Sequence, residues 1–155
     1  RRLKEEGIDL KWSLPSGTRS EALDEETLTL MRDANCNYLV YAPESGSAET
    51  LEAVQKRITV EAVTRSIRTA KRVGLVLRAN MVIGFPHETR RQIYETLWYG
   101  LKLSAYGVDE VAIFIFSAYP GSQIFRELQA RGRVAPNDDY FFGLRNYRAF
   151  EFRFR

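Results

Sequence analysis

The sequence predicts an α/β fold, a parallel-stranded half of a (β/α) TIM-like partial barrel made of about four βα units. Three observations predict it. Short β-rich runs at 38–42, 75–83 and 111–116 alternate with segments of helical periodicity, an order that makes the strands parallel. Each run ends in a loop of small and polar residues, at 44–47, 84–89 and 117–121. All three loops therefore fall on one edge of the sheet, where ligands bind in such folds. At 155 residues, 45% hydrophobic and 28% charged, the chain has the size and composition of one ordinary globular domain.

The elements follow in order. Residues 8–14 form a candidate first strand, closed by Pro15, Ser16 and Gly17. Asp24 can cap a helix with Glu25 and Glu26 in its first turn and Leu28, Met31 and Ala34 on one face, ended by Asn35 or Asn37. The second strand is 38–42, and 48–55 suggests a short helix. Thr59 caps a clearer helix, whose Val60, Val63, Ile67, Ala70 and Val73 recur at helical spacing until Gly74. The third strand is 75–83. Thr89 and Gln92 have capping-box spacing, and Ile93, Leu97 and Leu101 follow as the expected buried stripe of a helix ended by Gly107. Residues 111–116 are apolar throughout, as in a strand covered on both faces. Gly121 and Ser122 begin a last helix, which Gly132 ends.

Four parallel strands leave two open edges, which favours half a barrel over a complete sheet and raises self-association through those edges. The domain reading is a half barrel over 1–134 and a basic, aromatic extension over 135–155. The abrupt start at Arg1 and the alternating last residues lead us to expect a piece of a longer protein.

The formal charge is +3. Much of the excess lies near the end, where Arg131, Arg133, Arg145, Arg148, Arg153 and Arg155 outnumber Asp138, Asp139 and Glu151. With Tyr140, Phe141, Phe142 and Tyr147 this could line a nucleic-acid groove. No recognition motif accompanies it, so nucleic acid is disfavoured against a solvated or protein-docking surface. No apolar run approaches the ~20 residues of a membrane helix. Cys36, the single cysteine, excludes an internal disulfide and fits a cytoplasmic setting. His87 is the single histidine, so a multi-histidine metal site is excluded. There is no GxGxxG, P-loop, nucleophile elbow or cysteine cluster.

The loops carry the candidate chemistry. Glu44, at a strand end beside Ser45, Gly46 and Ser47, suits hydrogen bonds to ribose hydroxyls or an amino group. The alternative is a helix cap, or an ion pair with Lys56 or Arg57. Asn80, inside an apolar strand, needs either a ligand or a structural partner. Gly84 permits close approach of backbone to a ring, and Phe85 packs against a base or against core. Lys56 could bind a ligand carboxylate. Tyr119, Pro120 and Gly121 matter only as the third loop on the same edge.

These residues, as the run 38–47, then Lys56-Arg57-Ile58-Thr59, the run 81–89 and Ala118-Tyr119-Pro120-Gly121-Ser122, strongly resemble the radical S-adenosylmethionine enzymes over about 8–134. The nearest flavour is the cobalamin-binding branch that includes the anaerobic magnesium-protoporphyrin monomethyl ester cyclases. The resemblance implies the third to sixth strands of an incomplete (β/α) barrel, and a parent that acts on a small-molecule substrate through a 5′-deoxyadenosyl radical. It implies that Glu44 meets the ribose or methionine part of S-adenosylmethionine, with Ser45 beside it as a cofactor-binding residue, and that Lys56 binds the methionine carboxylate. It further implies a ribose contact for Asn80, an adenine-side motif at Gly84 and Phe85, and an adenine-side loop at Ser117 and Ala118. Arg19 is a further candidate for the same cleft. The family holds a 4Fe-4S cluster with a Cys-x3-Cys-x2-Cys loop. This chain has only Cys36, expected to be buried at a helix end on the wrong side of the sheet. Cluster, cobalamin and activity are therefore expectations for the parent, and the chain alone is expected to be inactive, with no catalytic or metal-ligating residue of its own. The rivals are a (β/α) domain binding another nucleotide and a basic nucleic-acid module.

Overall fold

The computed structural model describes residues 2–16, 19, 22–144 and 149–153, the last five as backbone. A short helix α1 (Arg2–Glu5) precedes β1 (Trp12–Leu14), α2 (Glu25–Asp33) and β2 (Cys36–Glu44). There follow α3 (Ala48–Ala53), α4 (Val60–Arg72), β3 (Val76–Ile83), α5 (Arg90–Ala105) and β4 (Glu110–Ile115). The chain continues through α6 (Gln123–Ala130) and α7 (Asp138–Leu144) to β5 (Ala149–Arg153).

The strands lie in the order β1-β2-β3-β4-β5. The first four are parallel, as the alternation of elements requires, and β5 is antiparallel to β4. This corrects the expectation of two open edges: β5 covers the β4 edge, and the β1 edge is three residues long. Half the reason for expecting copies to pair through their edges is thereby removed. The first strand is also shorter than the expected 8–14, because Ile8 and Leu10 are exposed and pair with nothing in the sheet.

Local chemistry sets the helix boundaries. Asp24, Thr59, Thr89 and Ser122 each accept a hydrogen bond from the backbone N–H three residues on, and Thr89 with Gln92 completes a capping box. Gly74, Gly107 and Gly132 end their helices at positive φ, and Asn35 ends α2 the same way at φ 65°. Helices α2, α4 and α5 cover one face of the sheet. Leu28, Val63, Ile67, Ala70 and Leu103 meet Leu39, Tyr41, Leu77, Met81, Val111 and Ile113 there in a continuous core. The buried side of α5 meets the expected Ile93–Leu97–Leu101 stripe only in part, since Leu97 packs against the core at its margin. Gln92, Thr96, Tyr99, Gly100 and Leu103 face inward, and Leu101 is exposed.

The opposite face of the sheet is polar toward the amino ends of the strands. Tyr38 donates to Glu110 at 3.2 Å, and Arg78 approaches Glu110 at 3.5 Å. Glu110 and burial together push the Tyr38 hydroxyl above its ordinary pKa, burial being the larger cause. Toward the carboxyl ends this face becomes apolar, with Val82 and Phe114. β4 is accordingly not covered on both faces throughout: Val111, Ala112 and Ile113 are buried, whereas Ile115 is exposed.

Candidate functional site

The three polar loops do share one edge of the sheet, and a cleft of about 660 Å³ opens there. That volume lies within the usual range for small-molecule sites. Glu44 and Lys56 stand on its rim, Phe85 and Phe116 on its wall, and Ser117 and Tyr119 at the third loop.

The first loop is shaped by its own sequence. Between Tyr41 and Glu44 the register slips, so that three steps along β2 match two along β3, from Tyr41 opposite Ala79 to Glu44 opposite Met81. Such a bulge re-aims the residue that follows it. Glu44 then takes φ 65°, and Ser45 N–H donates to Pro43 C=O at 2.8 Å across it. This three-residue turn at positive φ is a strained form, costing on the order of 1–3 kcal/mol at a non-glycine residue. Lys56 Nζ donates to Glu44 Oε1 at 2.9 Å, each side chain 31% exposed. The two charges expected to meet a ligand thus neutralise each other across the cleft rim.

Ser45 lies differently from expectation. It is fully buried and hydrogen-bonded to Thr96 Oγ1 at 2.8 Å, beneath the loop rather than in the cleft.

The second loop is held by Glu88, a residue that the sequence did not single out for this role. Gly84 N–H donates to Glu88 Oε2 at 2.6 Å, and Phe85 N–H donates to the same oxygen at 3.2 Å. Gly84 has φ 85°, which a residue with a Cβ adopts only under strain. The loop presents the Phe85 ring 4.8 Å from Phe116 and 5.8 Å from His87. Asn80 is engaged within the sheet, its Oδ1 accepting from Arg78 Nε at 2.8 Å, and does not line the cleft.

At the third loop Ser117 faces both the main cleft and an adjoining one that Gly84 and Ala118 also line. Ala118 is buried, and its carbonyl accepts from the Tyr140 hydroxyl. That bond draws α7 over the third loop, where Gly143 and Leu144 become part of the cleft wall. Arg19 is not among these residues. It lines a separate depression with Arg57, Ile58 and Thr59.

The structure therefore brings together Glu44, Lys56, Phe85 and Ser117, keeps Gly84 and Ala118 next door, and sets Ser45, Asn80 and Arg19 apart. Sequence reasoning missed the α7 wall, because 138–144 has little periodicity. It also missed Phe114 and Phe116 as lining, because an apolar run reads as core.

Cys36 opens β2 at the end of the sheet away from these loops. It is 2% exposed, and burial pushes its thiol pKa up. Among the described residues no cluster of histidine, cysteine or carboxylate side chains could hold a metal ion, and no helix is long and apolar enough to cross a membrane.

Comparison with known proteins adds the following. A family model described as the Radical SAM superfamily matches residues 1–98. The chain is 32% identical over 124 residues to an uncharacterized methyltransferase of Pyrococcus horikoshii, covering 80% of this chain and 26% of that protein. It is 25% identical over 136 residues to the anaerobic magnesium-protoporphyrin IX monomethyl ester cyclase of Rubrivivax gelatinosus, covering 87% and 24%. Among solved structures, coproporphyrinogen III oxidase from Escherichia coli, described as a radical SAM enzyme, superposes with a TM-score of 0.62 at 17% identity. That match covers 87% of this chain and 30% of the oxidase, and it bears on the fold alone. The chain spans about a quarter of the length of the curated relatives it matches.

Proposed function

The chain belongs to the radical SAM superfamily, and from that premise we propose that its strand-end cleft forms part of the S-adenosylmethionine-binding face of an iron–sulfur enzyme acting on a small-molecule substrate. The observation that carries this reading is the Glu44–Lys56 pair, held by a strained turn on the rim of an aromatic-walled cleft of about 660 Å³. S-adenosylmethionine offers a complementary set: a carboxylate and an ammonium at one end, a ribose diol, and an adenine ring. In this reading Lys56 turns to the carboxylate, Glu44 accepts from the ammonium or the ribose hydroxyls, and the adenine packs beside Phe85 and Phe116. Backbone at Gly84 and Ala118 and the Ser117 hydroxyl complete the adenine side. Exchanging one internal ion pair for two pairs with the ligand conserves charge, so neither side chain is left unpartnered.

When bound, S-adenosylmethionine supplies this family with the radical that begins its chemistry. The residues described here bind and orient it and keep water from its adenine side. The 4Fe-4S cluster of the family does not fit this chain. Three thiolates are required, and Cys36 is alone, buried and at the far end of the sheet. No redox step is assigned to these residues, and the chain alone is proposed to be inactive. A magnesium-protoporphyrin ester cyclase parent with cobalamin, in a cytoplasmic setting, is the finer form of the proposal. Its cyclase part is supported by the named cyclase relative and by the apolar cleft wall of Val82, Phe114 and Leu144.

Equilibrium dialysis of the chain against S-adenosylmethionine tests the reading. Binding is expected, with Lys56→Met and Glu44→Gln each weakening it about tenfold, the size of one charge-assisted hydrogen bond. Equal retention by both variants, or equal binding of ADP, refutes it and favours a domain for another nucleotide.

A further inference from the structure

We propose that Thr96, on α5, is a positioning residue that fixes the Glu44 loop from beneath. This inference rests on the cleft reading above. Ser45 and Thr96 are both fully buried, and they come together from positions fifty-one residues apart. Thr96 Oγ1 lies 2.8 Å from Ser45 Oγ, 3.1 Å from Gly46 N and 3.2 Å from the Gln92 carbonyl.

The protons of this cluster can be placed in one consistent way. A carbonyl can only accept, so the Thr96 hydroxyl donates to Gln92 C=O. Thr96 Oγ1 then accepts twice, from the Ser45 hydroxyl and from Gly46 N–H. Ser45 Oγ in turn accepts from Ser47 N–H at 3.0 Å. Three consecutive loop residues are thus tied, directly or through one hydroxyl, to a single side chain that offers one donor and two lone pairs. The fit is also steric. A Cβ on Gly46 would lie 2.7 Å from Glu95 O and 3.0 Å from Thr96 Cα, so the loop rests directly on the α5 backbone. A second tie reaches α3, where Gln92 Nε2 donates to Glu49 Oε2 at 2.6 Å.

A strained turn persists only where its surroundings over-determine it. Here Glu44 is the strained residue, and the three that follow it are the tied ones. Thr96 touches no ligand in this scheme. It acts by holding the turn that aims the Glu44 carboxylate at Lys56 and the cleft.

The test combines two readouts on the full chain with S-adenosylmethionine as ligand. Thr96→Val keeps the shape and removes the hydroxyl, and Thr96→Ser restores it. In Thr96→Val, amide hydrogen exchange at Ser45, Gly46 and Ser47 is expected to rise at least tenfold more than at Leu39, Leu77 and Leu103. S-adenosylmethionine binding should weaken about tenfold, and Thr96→Ser should recover both. If Thr96→Val does not fold, Ser45→Ala removes the ties of Ser45 and Ser47 and leaves that of Gly46 to Thr96, so exchange should rise at Ser47 and stay low at Gly46. Exchange that rises uniformly through the sheet, or does not change at 45–47, overturns the proposal. A wild-type chain that ignores S-adenosylmethionine refutes the cleft reading, and the exchange pattern still decides the role of Thr96.

Discussion

Replacing Gly46 by alanine isolates the seat of the first loop from its chemistry. Gly46 has no positive φ, so the substitution carries no backbone penalty of that kind. The added methyl would instead meet Tyr99 Cβ at 2.5 Å, Glu95 O at 2.7 Å and Thr96 Cα at 3.0 Å. All three atoms belong to, or sit directly on, the α5 backbone and cannot swing away. Overpacking against rigid neighbours costs typically 1–3 kcal/mol and occasionally more, so about 3 kcal/mol is expected. Two internal controls calibrate it. At Gly100 the nearest atom is Met81 Cε at 2.9 Å, the end of a flexible side chain, with Val111 Cγ1 next at 3.4 Å. Gly100 lies within α5, where alanine gains about 1 kcal/mol of helix propensity, so Gly100→Ala should be within about 1 kcal/mol of neutral. Gly143, in α7 with nothing within 4 Å, should be neutral or stabilised by up to about 1 kcal/mol. Urea unfolding measures the series. With a slope of roughly 1–3 kcal/mol per molar, Gly46→Ala should lower the midpoint by about 1–3 M. The reasoning fails if Gly46→Ala costs less than Gly100→Ala.

Three more outcomes follow from buried and half-buried groups. Burial pushes Tyr99, 4% exposed, up to about 12 from the ordinary 10. Since the folded state holds this proton more tightly, its contribution is intact below pH 10. The contribution is lost between pH 10 and 12, roughly 2–3 kcal/mol in all. Tyr99→Phe should therefore flatten the alkaline limb of stability against pH, and an unchanged limb would contradict the assignment. Asp109 Oδ2 accepts from Lys71 Nζ at 2.6 Å and from Leu77 N–H at 2.8 Å. Asp109→Ala should cost about 1–3 kcal/mol in urea unfolding by orphaning that amide, with Asp109→Asn recovering part of it. Cys36, buried with its thiol pKa raised, should react with iodoacetamide at the rate of global unfolding rather than at the rate of a free thiol. Fast labelling in the absence of denaturant would place it elsewhere.

The fold was legible where local chemistry and burial agree. Capping residues Asp24, Thr59 and Thr89 carry their signal in a few consecutive positions, and the helices begin where those residues stand. The α5 stripe is legible only in part, with Leu97 on the core and Leu101 exposed, because aliphatic residues outvote a threonine and a glutamine in any hydrophobicity pattern. The buried side of that helix carries Gln92 and Thr96, whose polar atoms are satisfied by groups about forty or fifty residues away. Asn80, polar inside an apolar strand, needs a partner. The partner is Arg78, two positions along the same strand and on the same face. Of the site itself, Glu44, Lys56, Phe85 and Ser117 were legible as loop residues on one edge. The α7 wall was not, since Tyr140 is placed by its bond to the Ala118 carbonyl and its ring against Phe125 rather than by any pattern in 138–144.

The position of the strain and the position of its support explain why a short motif at 43–47 cannot make this site alone. The bulge and the Ser45 N–H bond to Pro43 C=O set Glu44 in a turn costing about 1–3 kcal/mol. Nothing within the motif offsets that cost, because Ser45, Gly46 and Ser47 could satisfy their polar groups equally well in water. Burial changes the balance. Once α5 covers the loop, a Ser45 hydroxyl that leaves Thr96 loses its partner without gaining water, at about 1–3 kcal/mol, and the half-buried Gly46 amide loses a second bond to the same oxygen. The two ties offset a strain of the same order, so the turn holds only while the helix of the following βα unit is docked. The carboxylate of one unit is thus aimed by the helix of the next. A swap of residues 43–47 into an unrelated strand end, without Thr96 and the bare surface over Glu95, should yield the same sequence in a relaxed turn, with Glu44 no longer at positive φ.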